Sequence, residues 1–283
     1  LLMAARQVKL QSARLNGIMQ RWADTATEES HLCRPVVLFL HGWPGSWFNW
    51  RHQLKAVHEA GFRGIAPDMR GYGGTDAPSH MADYNIYSIS GDVHALMQHI
   101  GVKNAALVGH DHGANAGWKL AALYPQSFGC FCALSVPYGG RSNSPPLSKL
   151  RAKFGDERDP NQSPRFHYQL HHQLPEAASH YSVDARSALL ALLQHSDTTA
   201  SAPLVDSPQM YVDGIAEPLW KRLPQPRGPP HWLPEADFEY LLSQYASKGF
   251  EGGLNWYRVL DIDWHATPQL ASRKLAQPVA FIG

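Results

Sequence analysis

Apolar positions in the first half of the chain fall in short unbroken runs rather than in strict alternation. Val36-Val37-Leu38-Phe39-Leu40, Gly64-Ile65-Ala66-Pro67, Ala105-Ala106-Leu107-Val108 and Phe131-Cys132-Ala133-Leu134-Ser135-Val136 are such runs, and Val279-Ala280-Phe281-Ile282 repeats the pattern near the other end. Runs of this length suit strands covered on both faces, as in a parallel sheet. Between them the period changes. Trp50, Leu54 and Val57 share one helical face, and Ile89, Val93, Leu96 and Ile100 share another. Strands alternating with helices predict an α/β fold with a doubly wound, mostly parallel sheet. Ahead of it, an extended run from Gln7 to Leu15, the turn pair Asn16-Gly17 and a second run from Ile18 to Ala23 read as a hairpin.

Between Pro137 and Pro278 the strand rhythm disappears and helical patterns replace it, together with a proline-rich stretch from Pro224 to Pro234. The expected organisation is a core over residues 1–137, an inserted helical cap with its return to the core over 138–277, and a core strand over 278–283. The clearest cap helix carries Phe238, Leu241, Leu242 and Tyr245 at i, i+3, i+4 and i+7 and stops near Gly249. Leu189, Leu192 and Leu193 mark a shorter one.

Composition narrows the partners. Lys and Arg number 25 against 24 Asp and Glu, a balance that asks for neither nucleic acid nor an anionic surface. A small molecule is the expected partner, with no cofactor and no metal. No stretch approaches the ~20 apolar residues of a membrane span, and no charged segment leads into an apolar signal core. The chain reads as soluble and cytoplasmic. Cys33, Cys130 and Cys132 lack framework spacing and read as free thiols, the last two buried on one face of a strand.

The strongest chemical signal is Val108-Gly109-His110-Asp111-His112-Gly113-Ala114, an apolar strand that ends in small-x-Asp-x-small and runs into a helix. This is the form of a nucleophile elbow, a turn so sharp that only small residues fit beside the side chain it lifts above the sheet. Serine is the usual occupant, and the exchange for Asp predicts the electrophile. A serine that attacks a saturated carbon leaves an ether, which no oxyanion hole helps to hydrolyse. An aspartate leaves an ester, whose tetrahedral oxyanion can use the same backbone donors. Asp111 therefore points to an epoxide or an alkyl halide. The competing readings are a loop with a helix-capping Asp and a metal site on His110, Asp111 and His112.

Two further strings follow earlier strands. In His41-Gly42-Trp43-Pro44-Gly45-Ser46 the backbone N–H of Trp43 can join that of His112 as a two-donor oxyanion hole, and Trp43-Pro44 is a candidate cis peptide. In Pro67-Asp68-Met69-Arg70-Gly71-Tyr72-Gly73-Gly74-Thr75-Asp76 the glycine spacing fits no phosphate-binding loop. Asp68 and Arg70 are expected to fix this loop by ion pairing and hydrogen bonds.

In this order and spacing, His-Gly-x-Pro, Asp-x-Arg-Gly-Tyr-Gly and Gly-His-Asp-x-Gly resemble the epoxide hydrolases of the α/β-hydrolase superfamily, over nearly the whole chain. The resemblance implies an α/β-hydrolase fold and hydrolysis of a small apolar epoxide to a vicinal diol through an aspartyl ester. It also implies two cap tyrosines that hold the epoxide oxygen. The matching strings are Phe166-His167-Tyr168-Gln169-Leu170 and Gly253-Leu254-Asn255-Trp256-Tyr257-Arg258, so Tyr168 and Tyr257 are the candidates. The chemistry calls for them, because ring opening expels an alkoxide and a phenol with a reference pKa of about 10 stays protonated to meet it.

A departing halide needs only N–H donors. The similar haloalkane dehalogenases carry Trp after the nucleophile and Asn in the His-Gly-x-Pro string, where this chain has His112 and Trp43. A dehalogenase and an inactive ligand-binding relative are the alternatives. His112 also departs from the aromatic residue, often Trp, common in epoxide hydrolases. The family's water-activating histidine and its acid partner would follow the Val279–Ile282 strand. No residue here is assigned to either role, and the chain, which starts at Leu1, reads as a C-terminally truncated fragment.

Overall fold

The computed structural model describes residues 8–159, 161–162, 165–194, 217–223 and 225–283. Gln7 and Pro224, which open two of the predicted segments, lie outside them. The chain divides into two compact units, one of Leu1–Ser142 with Ala266–Gly283 and the other of Asn143–His265.

The first unit is built on a seven-stranded sheet: β1 (Lys9–Leu15), β2 (Ile18–Asp24), β3 (Val36–Leu40), β4 (Arg63–Pro67), β5 (Ala105–His110), β6 (Phe128–Leu134) and β7 (Val279–Ile282), in the order β1-β2-β4-β3-β5-β6-β7. Asn16 and Gly17 both take positive φ, the requirement of a two-residue turn that matches strand twist, and β1 pairs with β2 in antiparallel register from Leu15↔Ile18 outward. β2 runs antiparallel to β4, and every pair from β4 through β3, β5 and β6 to β7 is parallel. α1 (Arg51–Glu59), α2 (Ile86–His99) and α3 (His112–Leu123) connect the strands.

This order places a topological switch between β3 and β5. From β3 the chain leaves toward β4, and from β5 it leaves toward β6, so the loops beyond two adjacent carboxyl ends diverge and open a crevice. Both faces at the switch are filled. β3 and β4 are buried throughout, with Leu38, Leu40, Ile65, Leu107 and Leu120 all at 1% exposure or less. α3 packs tightly enough that a Cβ on Gly113 would collide with the carbonyl of Leu40, so only glycine admits the helix at that depth.

The sheet corrects three expectations. β6 starts at Phe128, three residues before the predicted run, and ends at Leu134, because a bulge at Ala105/Ala106 pairs Phe128 and Cys130 with successive residues of β5. Cys130 is exposed and Cys132 half-buried rather than buried. Strand alternation puts them opposite Phe131, whose face holds Trp118 of α3 at a ring separation of 4.6 Å. β7 lies at the sheet edge and is exposed along its length, where an apolar run had suggested cover on both faces.

The second unit is helical: α4 (Pro146–Phe154), α5 (Tyr168–His171), α6 (Ala177–Ser182), α7 (Ala185–Gln194), α8 (Leu219–Arg222), α9 (Glu235–Lys248), α10 (Glu251–Arg258) and α11 (Leu260–Ala266). α9 buries Phe238, Leu241 and Tyr245 and ends at Gly249, whose φ of 74° reverses the chain as its spacing predicted. α7 buries Ala188 to Ala191 more deeply than Leu192 and Leu193. Asp261 of α11 accepts the Leu147 N–H at 2.9 Å, so an acid from α11 caps the first turn of α4.

Candidate active site

Asp111 sits between β5 and α3 with φ 54° and ψ −119°, a conformation outside the ordinary range for a side-chain-bearing residue and of order 1–3 kcal/mol above it. The backbone strain lifts the carboxylate off the end of the sheet. Asp111 makes no side-chain capping bond to α3, which removes the capping reading. Its Oδ1 instead accepts the Trp43 N–H at 2.8 Å. Among the described residues, no group of three or more His, Cys, Asp and Glu is arranged to hold a metal ion.

Trp43 reaches Asp111 because Leu40 and Gly109 are paired across β3 and β5, and the chain beyond Leu40 turns over the elbow. A Cβ on Gly42 would run into the Asp111 side chain, so this turn lies directly against it. Trp43-Pro44 is cis. His112 is the first residue of α3, and its imidazole is buried, which holds it below the ordinary histidine range.

A polar network beneath the turn sets its position. The Met69 N–H donates to His41 Nε2 at 3.0 Å, so that nitrogen must be the acceptor and Nδ1 carries the proton it gives to the Gly42 carbonyl at 2.9 Å. Burial pushes the His41 imidazole below its usual range and keeps this tautomer neutral. Asp68 does fix the loop, yet its cation is Arg21, at 2.6 Å, and it also accepts the N–H groups of Trp47 and Gly74. Arg70 pairs with Asp92 of α2 through two bonds of 2.7 and 2.6 Å, and Asn16 of the hairpin turn donates to the same carboxylate. Arg21 and Asp92 carried no motif signal. They stand 47 and 22 residues from their partners, and nothing local could have identified them.

In the second unit, Tyr168 opens α5 and Tyr257 closes on the last turn of α10. Their rings meet edge to face at 5.8 Å. His167 caps α5 by accepting the Gln169 N–H at 3.3 Å and stacks on Tyr168 at 5.2 Å. Burial, with a smaller contribution from Lys153, lowers its pKa to about 4, which keeps the capping nitrogen unprotonated. Arg258 donates to the carbonyls of His172 and Leu174 at 3.0 Å each, and Gln173 donates to the carbonyl of Tyr257 at 3.3 Å. These bonds join the α5 segment to α10 independently of the tyrosine rings. Of the other aromatic and histidine residues in this region, His171, His172 and Trp220 are buried and Trp232 is exposed.

The structure thus brings Trp43 and Asp111 into contact, with His112 adjacent in sequence, and brings Tyr168 and Tyr257 together in the helical unit. Known proteins resemble the chain in sequence and in fold. The α/β-hydrolase fold family matches residues 35–197. Epoxide hydrolase A of Mycobacterium tuberculosis (strain ATCC 25618 / H37Rv) is 32% identical over 254 residues, covering 88% of this chain and 74% of that protein. Epoxide hydrolase 1 of Siraitia grosvenorii is 34% identical over 251 residues, covering 88% and 73%. The crystal structure of epoxide hydrolase A from Mycobacterium thermoresistibile superposes with a TM-score of 0.86 at 33% identity, over 97% of this chain and 81% of that one. With an elbow on the same fold and relatives of this extent, the chain belongs to the epoxide hydrolases of the α/β-hydrolase superfamily.

Proposed function

We propose that this enzyme opens a small apolar epoxide by attack of the Asp111 carboxylate on a ring carbon, and that the resulting alkyl ester is cleaved by water to release a vicinal diol. The observation that carries the reading is the carboxylate at the elbow, lifted by a positive φ and held at 2.8 Å by the Trp43 N–H. A carboxylate so placed has one oxygen fixed and the other available for in-line attack. Tyr168 and Tyr257 donate to the epoxide oxygen as the carbon–oxygen bond breaks, and one phenol gives its proton to the alkoxide. In the second step water adds to the ester carbonyl, whose oxygen takes the position that Asp111 Oδ1 holds now; collapse of the adduct breaks the acyl–oxygen bond to release the diol, and the proton water gives up replaces the one lost by the phenol. The N–H groups of Trp43 and His112 stabilise the oxyanion there. His41 is not the base for that water, because both its ring nitrogens are engaged in holding the loop.

Quenched single-turnover reaction with styrene oxide, followed by peptide mass spectrometry, tests this directly. The expected result is a transient mass gain of one styrene oxide on the peptide containing Asp111, absent in Asp111→Ala. Tyr168→Phe and Tyr257→Phe should slow its formation from the epoxide and leave alkylation by an alkyl halide unaffected. Diol formation with no Asp111 adduct at any reaction time, or an adduct on another residue, would overturn the reading.

A further inference from the structure

His172 stands one turn beyond Tyr168, its N–H bonded to the Tyr168 carbonyl at 2.9 Å, so the two side chains lie on the same face of α5. Its imidazole is wholly buried and touches three tyrosines: Tyr257 at a ring separation of 4.5 Å, Tyr168 at 5.6 Å and Tyr181 at 5.7 Å. The contact with Tyr181 includes a hydrogen bond of 2.8 Å between Nε2 and the phenol oxygen, with both residues at 0% exposure. Burial pushes the Tyr181 hydroxyl well above the usual phenol range, so it remains a neutral hydrogen-bonding group at any working pH. The carbonyl of His172 is in turn held by Arg258, the residue next to Tyr257.

Two phenols that serve one oxygen atom must converge on a single point, and the tolerance for such a pair is about 0.5 Å. The Tyr168 hydroxyl accepts a bond from Gln169 at 3.0 Å and its ring stacks on His167, contacts that act on one tyrosine of the pair. His172 touches both rings at once. It fills the space against both rings, and the Tyr181 hydroxyl fixes the rotation of the imidazole plane.

We infer that His172, locked by Tyr181, is a positioning residue that sets the convergence of the Tyr168 and Tyr257 hydroxyls, a role that rests on the proposed use of those tyrosines as donors to the epoxide oxygen. His172 touches no reacting atom. It acts through the pair, and the consequence is a particular pattern of kinetic coupling.

The test is a double-mutant cycle on the rate constant of ester formation from styrene oxide, with thermal melting of every variant. His172→Ala removes the wedge and should slow ester formation by about tenfold, a fraction of the ~100-fold expected for a 1 Å misplacement, with KM changed less than about twofold. Tyr181→Phe removes only the lock, keeps the ring volume, and should slow the same step severalfold. It also covers the case in which His172→Ala does not fold. His172→Gln, which keeps a polar atom near Nε2, should recover part of the rate lost in His172→Ala. In a Tyr257→Phe background, His172→Ala should have little further effect. A purely structural role would lower the melting temperature without this coupling. Multiplying effects in the cycle, or unchanged ester formation in folded Tyr181→Phe and His172→Ala, would overturn the positioning role. Full activity in Tyr168→Phe and Tyr257→Phe would instead overturn the donor assignment on which it rests.

Discussion

Gly42→Ala separates the chemistry of the elbow from its folding. A Cβ at this position would stand 2.3 Å from Asp111 Oδ1 and 2.5 Å from Asp111 Cβ, whereas unstrained carbon contacts lie at about 3.5–4.0 Å. Something must withdraw by about 1 Å. The loop carrying Gly42 is held from below by the His41–Met69 bond and by the Asp68 bond to Trp47 N–H, and Asp111 Cβ moves only with its own backbone, so the elbow that carries Asp111 has to give way. Gly42 itself does not take a positive φ, and alanine is compatible with its backbone. A 1 Å retreat stretches the 2.8 Å bond from Trp43 N–H past hydrogen-bond range and misaims the oxygen proposed to attack the epoxide. Misplacement of this size costs about 100-fold in rate, or ~2.7 kcal/mol in the barrier. Single-turnover alkylation by styrene oxide measures that loss, and a melting curve within about 4 °C of the parent shows that the fold survives. Alkylation within about threefold of the parent would refute the reasoning, since it would mean that the close approach at Gly42 does not hold the proposed nucleophile.

Two other perturbations act through groups at a greater distance. Arg70→Met leaves the Asp92 carboxylate buried with Asn16 as its one donor among the described residues and should destabilise the fold by about 3–5 kcal/mol, whereas Arg70→Met with Asp92→Leu should regain most of the loss. Equal denaturant midpoints for the single and double variants would contradict the pairing argument. Stability should also fall with pH below the histidine range. Burial holds His41, His112 and His167 low, His167 at about 4, so the unfolded chain takes up protons near 6.5 before the folded one does. The resulting stability is complete above that pH and is lost as pH drops toward the folded values. Asp92, which burial pushes up, acts in the opposite sense, and the comparison is made between about pH 7.5 and about pH 5, where the histidines of the unfolded chain titrate. A urea midpoint unchanged across that interval would show that these imidazoles are not held neutral by the fold.

What could be read along the chain divides by range. Unbroken apolar runs located five parallel-sheet strands, and Asn16-Gly17 located the hairpin, because strand cover and turn conformation depend on residues within a few positions. The elbow was legible for the same reason: Gly109, Asp111 and Gly113 are a local demand for small neighbours around one lifted side chain. Register was not legible, and the bulge that starts β6 at Phe128 depends on how that strand meets β5. Nor was the solvent face of Cys130 and Cys132, which depends on which side α3 occupies. The partners of Asp68 and Arg70 escaped for a third reason. Their charges announced an ion pair each, but Arg21 and Asp92 are ordinary residues of a hairpin and a helix until the fold brings them in.

The contact between Trp43 N–H and Asp111 Oδ1 joins the two halves of the proposed mechanism. In the resting enzyme this donor binds a carboxylate, and after attack it binds the carbonyl oxygen of the ester formed from the same atoms. When water adds, that oxygen becomes an oxyanion at the same place. The donor need not move between these states, so its reorganisation cost at the moment of hydrolysis is small, which is the condition under which a backbone N–H contributes most to a transition state. The positive φ of Asp111, Gly42 beside it and the neutral His41 beneath the turn then share one purpose. Each keeps a single oxygen atom within reach of a fixed donor while the chemistry attached to that oxygen changes.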